Sequence, residues 1–316
     1  MPHSEPSDVW PVDLVHPAPL VLRGRRFDAS LPAVMGIINR TPDSFYAAAR
    51  FTEMGPALAA ADRLVGEGAD IVDVGGVRAG QVGPWVEASE EIERVLPFLE
   101  ALRARHPEVC ISLDTWRSEV AMACAAIGVD LVNDSWAGAD PDLVHVAAQI
   151  GAGYVISHTG GLPPRTDPVD ISYGPNPDDV VRDVLRTLAS GAKTAVAAGI
   201  PAERILVDPT LDFGKTTRNS LRVLRATAQV ASLGFPVLQA LSRKDFVGET
   251  LDLPTDQRLY GTLAATAVAA WLGTTVFRAH DIASTRQVID MVAAIRGDRP
   301  PAVAVRGEPG RGEGRG

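Results

Sequence analysis

The chain has 316 residues, of which 46% are hydrophobic and 22% are charged, and its formal net charge is −9 at pH 7. This composition is that of a soluble globular protein, and the acidic balance argues against nucleic acid as the main partner. No apolar run approaches the roughly 20 residues that span a bilayer, so we expect no membrane partner. No secretory signal is predicted at the N-terminus, and the chain has only two cysteines, Cys110 and Cys124. We therefore expect buried thiols in a protein of the reducing cytoplasm.

Eight short apolar runs are spread along the chain, and each ends at a polar residue or a glycine pair. In chain order they cover residues 33–38, 70–74, 109–113, 131–132, 153–157, 204–207, 236–241 and 275–277. Runs of Val, Ile and Leu of this length predict strands that are buried on both faces, as in a parallel sheet. Helical periodicity separates most of them, so a βα unit repeats about eight times. The pattern predicts an α/β protein with one domain, a (β/α)8 TIM barrel whose catalytic residues follow the strands.

Composition shifts at both ends predict where this barrel begins and ends. We place the barrel at residues 31–296. Residues 1–30 are rich in proline and predict an irregular extension, either a poorly ordered arm or a hairpin that plugs the bottom of the barrel; they contain a basic cluster of Arg23, Arg25 and Arg26. Residues 297–316 carry few apolar groups, so we expect a disordered tail.

Four polar residues follow four different predicted strands: Asp114, Asn133, Asp208 and Lys244. Because the carboxyl ends of the strands meet at one end of a barrel, these side chains should converge on one pocket. A purely structural role is disfavoured, because buried charges are costly unless they are paired. Two carboxylates, an amide and an amine match the donors and acceptors along the edges of a flat nitrogen heterocycle.

A second group of polar residues is expected above this pocket. It comprises Arg40, Arg78, Arg243, Arg278 and His280. Arginine forks suit phosphate oxygens, and the neighbouring Asn39 offers a hard oxygen ligand of the kind that Mg²⁺ accepts. The sequence thus predicts a heterocycle below and a phosphate above.

Eight ordered stretches carry a family resemblance: MGIINRTPDSF (35–45), ADIVDVGG (69–76), ISLDT (111–115), LVND (131–134), DPTLDFGKT (208–216), SRKDFVG (242–248), RLYGTLAAT (258–266) and FRAHD (277–281). From about residue 30 to 296 the chain resembles dihydropteroate synthase, a pterin-binding barrel, and in particular its divergent second paralogue in actinobacteria. The resemblance implies a transferase that condenses 6-hydroxymethyl-7,8-dihydropterin diphosphate with 4-aminobenzoate in folate biosynthesis. It also implies a homodimer and an Mg²⁺ cofactor.

The resemblance also assigns roles residue by residue. Asp114, Asn133, Asp208 and Lys244 match the family's pterin contacts, and Phe213, Ser242 and Lys244 fall near its aminobenzoate position. Asn39, Arg278 and His280 match its diphosphate contacts, and Asn39 its magnesium ligand. In the implied mechanism Asp114, Lys244 and Arg278 are the catalytic residues, and Asp114 stabilises a cation on the pterin methylene.

Three loops depart from the family pattern. The loop after the second barrel strand reads Gly-Gly-Val-Arg-Ala-Gly at 75–80, where the family has Gly-Gly-Glu-Ser-Thr-Arg-Pro-Gly. Arg40 and Tyr46-Ala47-Ala48 are unusual in the first loop, and Asp212 adds a negative charge near a site for an anion. The segments 39–53, 75–89 and 158–176 are longer than a barrel requires and are expected to cover the substrates.

Four functional hypotheses can be compared with these observations. One is a synthase, including one with an altered second substrate, and another is a pterin- or sulfonamide-binding homologue that has lost the activity. A pterin-dependent methyltransferase would expect a corrinoid partner domain, for which 316 residues leave no room. A structural scaffold does not explain polar residues at every strand end. The apolar helix predicted over 261–271 either packs across a two-fold axis or simply covers the barrel.

Overall fold

The structure is a computed structural model that describes residues 16–41, 53–77, 85–166 and 171–306. The strands of the described part are β1 (Leu20–Leu22), β2 (Arg25–Phe27), β3 (Ala33–Asn39), β4 (Ile71–Gly75), β5 (Cys110–Asp114), β6 (Leu131–Asp134), β7 (Gly153–Ser157), β8 (Ile205–Asp208), β9 (Leu238–Ala240) and β10 (Val276–Ala279). Strands β1 and β2 form an antiparallel hairpin, and β3 to β10 form one sheet of eight strands. The strand predicted over 236–241 is shorter than expected, because Lys244 N donates to Leu241 O in a turn that ends it.

The eight-stranded sheet is parallel and nearly closed. Strands β3 to β8 pair in chain order, and β10 pairs with both β3 and β9. The gap between β8 and β9 is bridged at Val207 and Val237, where Val207 N donates to Pro236 O at 2.9 Å. The register aligns Gly75 with Asp114 and Asp114 with Asn133 at the carboxyl ends. The predicted (β/α)8 barrel is confirmed.

Helices surround the barrel and bury its outer face. In the described residues they are α1 (Met54–Gly66), α2 (Ala88–Arg105), α3 (Ser118–Ala123), α4 (Leu143–Gln149), α5 (Asp179–Ala197), α6 (Thr217–Arg225), α7 (Thr227–Ala231), α8 (Asp245–Leu251), α9 (Leu259–Trp271) and α10 (Ile282–Arg296). In α5 the buried residues Val180, Val184, Leu188 and Ala192 recur every fourth position, so one stripe of the helix faces the strands. None of the described helices is both long and apolar enough to span a bilayer.

The β1–β2 hairpin closes the bottom of the barrel. Leu20, Leu22 and Phe27 are fully buried and join a cluster with side chains inside the barrel, among them Met35 and Leu206. Of the two alternatives for the N-terminal extension, the structure shows the hairpin for residues 20–27, and residues 1–15 lie outside the described part of the chain. Cys110 belongs to the same cluster, and Cys110 and Cys124 are both buried and free. Residues 297–306 contain no helix or strand, and the rest of the predicted tail lies outside the described residues.

Candidate active site

A cavity of about 170 Å³ lies at the carboxyl ends of the barrel strands. Each residue to which the family resemblance assigned a role lines it: Asn39, Asp114, Asn133, Asp208, Phe213, Ser242, Lys244, Arg278 and His280. The other lining residues are Ile37, Val77, Ser135, Thr210 and Ala240. The barrel thus brings the predicted residues together, while their individual roles stay predictions.

A buried ion-pair network forms the floor of this cavity. Arg278 donates through Nε to Asp73 Oδ2 at 2.6 Å and through Nη2 to Asp114 Oδ2 at 2.9 Å. Asp73 also accepts from Ser112 Oγ at 2.6 Å and from Asn133 Nδ2 at 3.2 Å. The side chain of Asp73 is fully buried and has lost its hydration. The hydrogen bonds from Arg278, Ser112 and Asn133 therefore replace those that water would make to the carboxylate.

Asp73 is a member of the site that the sequence analysis missed, because that analysis examined only the residues after each strand. Asp73 instead lies inside β4, between apolar neighbours. A carboxylate within an otherwise apolar buried strand is costly without a partner, and this is the signal that could have identified it.

The two carboxylates of the floor carry raised pKa values. Burial, and then the charge of Asp73, raises the pKa of Asp114, although Arg278 and the hydroxyl of Ser135 at 2.8 Å oppose the shift. Burial also raises the pKa of Asp208, whose Oδ1 accepts from Thr210 N at 2.7 Å. Burial disfavours the ionised form of both carboxyl groups. A ligand that donates hydrogen bonds to them or carries positive charge would stabilise that form, so the floor favours such a ligand.

Lys244 forms the side of the cavity. Its Nζ lies 4.8 Å from the ring centroid of Phe213 and donates to Leu211 O. Phe213 in turn packs edge-on against Trp136, with 5.4 Å between the ring centroids. Burial lowers the pKa of Lys244, and the carboxylates of Asp212 and Asp208 oppose that shift.

Lys215 is a second residue of structural importance that the sequence analysis did not assign. It is only 2% exposed, and its Nζ donates to the carbonyls of His158 at 2.8 Å, Phe213 at 2.9 Å and Thr210 at 3.1 Å. Burial lowers its pKa to about 7, while the charge of Asp208 acts in the opposite direction. Lys215 thus ties the segment after β7 to the segment after β8.

His280 and Asn39 also line the cavity, directly after β10 and at the end of β3. His280 Nδ1 is 3.0 Å from Ser242 Oγ, and burial followed by the charge of Arg278 lowers the pKa of His280 to about 4. The imidazole is therefore neutral at pH 7 and contributes hydrogen bonds rather than the expected positive charge. Within the four described ranges there is no group of three His, Cys, Asp or Glu side chains able to hold a metal ion.

Two of the arginines expected at the mouth point elsewhere. Arg40 donates to Arg94 O at 3.2 Å and to Glu53 O at 3.0 Å, and its guanidinium lies over the ring of Phe98. Arg243 pairs with both carboxylate oxygens of Asp281, at 3.1 and 3.0 Å. Arg78 lies outside the described residues. Among the described residues the mouth is less positive than predicted, because acceptors distant in the sequence hold the guanidinium groups of Arg40 and Arg243.

Asp212 also differs from the expectation. Its Oδ2 accepts from Asp245 N at 2.7 Å and Phe246 N at 3.4 Å, and its Oδ1 accepts from Ser220 Oγ at 3.2 Å. The carboxylate therefore joins α6 to α8 and is not among the residues that line the cavity. His158, at the start of the long segment 158–176, is fully buried and its Nε2 lies 2.9 Å from Asp183 Oδ2. The variant residues Tyr46-Ala47-Ala48 and Ala79-Gly80 lie outside the described residues.

Comparison with known proteins identifies the family of this barrel. The family described as pterin binding enzyme matches residues 35–280. The chain belongs to this family. It is 51% identical to inactive dihydropteroate synthase 2 of Mycobacterium leprae over 287 residues, which cover 91% of this chain and 98% of the relative.

Solved structures of the family agree with the described fold. A dihydropteroate synthase of Coxiella burnetii in complex with pteroic acid has a TM-score of 0.79 and 31% identity, covering 89% of this chain and 100% of that one. The Xanthomonas albilineans dihydropteroate synthase with 4-aminobenzoic acid has a TM-score of 0.77 and 34% identity, covering 89% and 98%. The resemblance of the sequence to dihydropteroate synthase is confirmed, including the resemblance to the divergent second paralogue of actinobacteria.

Proposed function

We propose that this protein binds a reduced pterin, and its 6-hydroxymethyl diphosphate, on the floor of the cavity, and that it condenses the diphosphate with 4-aminobenzoate slowly or not at all. The observation that carries the proposal is the convergence of Asp114, Asn133, Asp208 and Lys244 on one cavity of about 170 Å³. A pterin presents ring N–H and amino donors and a carbonyl acceptor along its edges. The carboxylates accept from the former, and Asn133 and Lys244 donate to the latter.

The same residues offer part of the chemistry of a synthase. In the condensation, the bond between the pterin methylene and the diphosphate oxygen breaks, the amine nitrogen of the second substrate bonds to the methylene, and that nitrogen then loses a proton to solvent. Asp114 would stabilise positive charge at the methylene, and Arg278 and a neutral His280 would donate to the departing diphosphate. No nucleophilic side chain is required.

The residues of this cavity fit an Mg²⁺ ion only if the substrate phosphates supply most of its ligands. Asn39 contributes one amide oxygen at the edge of the cavity, and Mg²⁺ commonly binds through one or two protein ligands together with substrate phosphates and water. Bound there by Asn39, the ion would neutralise the charge of the diphosphate.

Weak condensation is supported by the charge of the mouth. Arg40 and Arg243 are held by acceptors outside the cavity, and His280 is neutral at pH 7. Val77, which lines the cavity, offers neither a hydroxyl nor a charge. The diphosphate and the aminobenzoate carboxylate are both anions and would lie close together. In the described part of the site only Arg278 and Lys244 line the cavity as cations that can offset their repulsion. The name of the Mycobacterium leprae relative, an inactive synthase, supports the same conclusion.

The test combines binding with turnover on the same preparation. Calorimetry with 6-hydroxymethyl-7,8-dihydropterin should show binding, while assays with the pterin diphosphate and 4-aminobenzoate should show little or no dihydropteroate. Absence of pterin binding would refute the proposal. Turnover at ordinary enzyme rates would establish the synthase instead.

A synthase that uses another aromatic amine is the second candidate. The four residues that match the family's pterin contacts all line the cavity, and an amine without a carboxylate would not need a cationic site at the mouth. A panel of aromatic amines that lack a carboxylate, assayed with the pterin diphosphate, distinguishes this candidate from a binding protein.

We also propose a homodimer through α9 and α10. These helices pack side by side, and their outer face exposes Tyr260 (84% exposed), Val268, Met291 and Ile295. Analytical ultracentrifugation should show a dimer that Val268→Glu dissociates. Val196→Glu, at an exposed position of α5, is the matched control and should leave the dimer intact.

A further inference from the structure

A second cavity lies at the bottom of the barrel, at the opposite end of the strands from the candidate active site. Its volume is about 460 Å³, and it is lined by Val21, Arg23, Gly24, Asp130 and Arg204. Arg23 and Gly24 form the turn between β1 and β2, while Asp130 and Arg204 directly precede β6 and β8. This end of a TIM barrel ordinarily serves stability rather than catalysis, so a charged cavity here needs a separate explanation.

The backbone around this cavity is closely packed. Gly153 N donates to Asp130 O at 2.8 Å, and a Cβ atom at Gly153 would lie only 2.6 Å from Arg204 O. The residues that lead into three neighbouring strands are therefore in direct backbone contact. Arg204 is the last residue of a short 3-10 helix that leads directly into β8, so its backbone is fixed against the barrel.

Arg23 occupies an unusual place for an arginine. Its φ is +49° and that of Gly24 is +72°, so both central residues of the hairpin turn are left-handed. Such turns favour Asn, Asp or Gly, and an arginine in this conformation is strained. Turn chemistry therefore does not account for Arg23.

The charges of the cavity do not balance internally. Asp130 Oδ2 accepts from Arg103 Nη2 at 2.7 Å and from Ile111 N at 2.9 Å. Arg23 Nη1 is 3.5 Å from Asp130 Oδ1, and Arg23 Nη2 donates at 2.8 Å to the carbonyl of Pro107, which carries no formal charge. Because Arg103 already neutralises Asp130, Arg23 and Arg204 leave an excess of positive charge.

Arg204 lacks a partner for a buried donor. Its Nε is buried and makes no hydrogen bond to any described residue. A guanidinium stays protonated at every physiological pH, and a buried donor of a charged group without an acceptor is costly. The terminal Nη groups of Arg204 also make no hydrogen bond to a described residue, and they are the donors that an acceptor in the cavity would meet.

We propose that this cavity binds a small phosphate-class oxyanion between the guanidinium groups of Arg23 and Arg204. Arginine forks match the geometry of phosphate oxygens, and the carboxylate of Asp130 does not oppose the anion because Arg103 is bound to it. The cavity exceeds the size of a phosphate ion, so it also accommodates an organic phosphate monoester. This site is independent of the pterin proposal.

The test is calorimetric titration of the full chain with inorganic phosphate, against a chloride blank of equal ionic strength. Arg204→Gln and Arg23→Gln should each weaken phosphate binding by at least about tenfold, as expected for loss of charge-assisted hydrogen bonds. Arg26→Gln is the matched control: it removes the same charge from the same hairpin, but Arg26 is exposed and pairs with Asp28 at 3.1 Å. It should leave the affinity nearly unchanged.

A variant of the candidate active site separates the two ends of the barrel. His280→Ala should retain the binding that depends on Arg204. Equal affinity of Arg204→Gln and Arg26→Gln would overturn the proposal, as would binding that His280→Ala abolishes. If Arg204→Gln does not fold, Arg204→Lys keeps the positive charge but removes the planar pair of donors. An unchanged affinity of Arg204→Lys for phosphate would then refute binding through the guanidinium of Arg204.

Repeating the titration with ribose 5-phosphate separates the two sources of the ligand. Tighter binding than inorganic phosphate, dependent on Arg204, would assign the site to an organic phosphate. Equal binding would assign it to free phosphate. Binding of neither would overturn the proposal.

Discussion

Asp73 and Arg278 form an ion pair across the floor of the barrel, with Asp73 Oδ2 2.6 Å from Arg278 Nε. Asp73 lies on β4 and Arg278 on β10, and β3 lies between the two strands. Because the same guanidinium also donates to Asp114, Asp73 sets the position of the arginine that faces the Asp114 carboxylate in the cavity. We infer that Asp73 is a positioning residue.

Asp73→Asn should therefore destabilise the fold and misplace Arg278. Removing one partner of a buried ion pair costs about 3 kcal/mol, and we expect a loss of this size in the free energy of unfolding measured with urea. Asp178→Asn, which breaks the more exposed pair with Arg222, is the control and should change it little. Equal stability of the two variants would contradict the role of Asp73.

The pterin floor can be tested by removing its carboxylates one at a time. Asp208→Ala and Asp114→Asn should each weaken pterin binding by about tenfold or more, because each loses charge-assisted hydrogen bonds worth about 1.5–3 kcal/mol. Calorimetry measures the effect, and Asp252→Asn at an exposed turn is a control with the same loss of charge. An unchanged affinity in Asp208→Ala would exclude this pocket as the pterin site.

Arg278→Gln should distinguish the mouth from the floor. We expect a larger loss of affinity for inorganic diphosphate than for a neutral pterin, because the guanidinium donates to phosphate oxygens. Some loss of pterin binding is also expected, since the pKa of Asp114 rises further without its partner. Equal losses for both ligands would show that the site is not divided in this way.

Lys215 should make the stability depend on pH. Burial lowers its pKa from 10.5 to about 7 in the folded protein, so between these values the unfolded chain binds more protons than the folded one. The free energy of unfolding should therefore rise between pH 7 and pH 9, by about 2 kcal/mol more in the wild type than in Lys215→Met. Urea titrations at the two pH values measure this, with the exposed Lys193→Met as control. Parallel changes in wild type and Lys215→Met would contradict the shift.

The second loop should limit the condensation. Replacing residues 77–81 by the family segment Glu-Ser-Thr-Arg-Pro should raise turnover with 4-aminobenzoate by at least about tenfold, equivalent to roughly 1.4 kcal/mol of transition-state stabilisation. The same graft with Ala in place of Arg tests whether the added charge is responsible. A graft that stays inactive would locate the defect elsewhere, most directly in the first loop around Arg40.

The sequence by itself determined the barrel and the composition of its main cavity. Runs such as 153–157 are too apolar for a solvent-exposed face, so they predict buried parallel strands, and β7 has these bounds. Once the barrel is inferred, residues that follow different strands must meet, because all strands run in one direction around one axis. Asp114, Asn133, Asp208 and Lys244 were therefore predictable as one group.

Only the tertiary structure decided which charges face the ligand. Arg278 and Asp73 are 205 positions apart in the sequence, and Arg243 and Asp281 are 38 apart. An ion pair depends on distance in space, and neither residue type nor position after a strand reveals which acceptor reaches a guanidinium first. For the same reason the carboxylate of Asp212 became a link between α6 and α8 instead of a charge in the mouth. The buried donors of Lys215 and Arg204 likewise became visible only when their surroundings were in place.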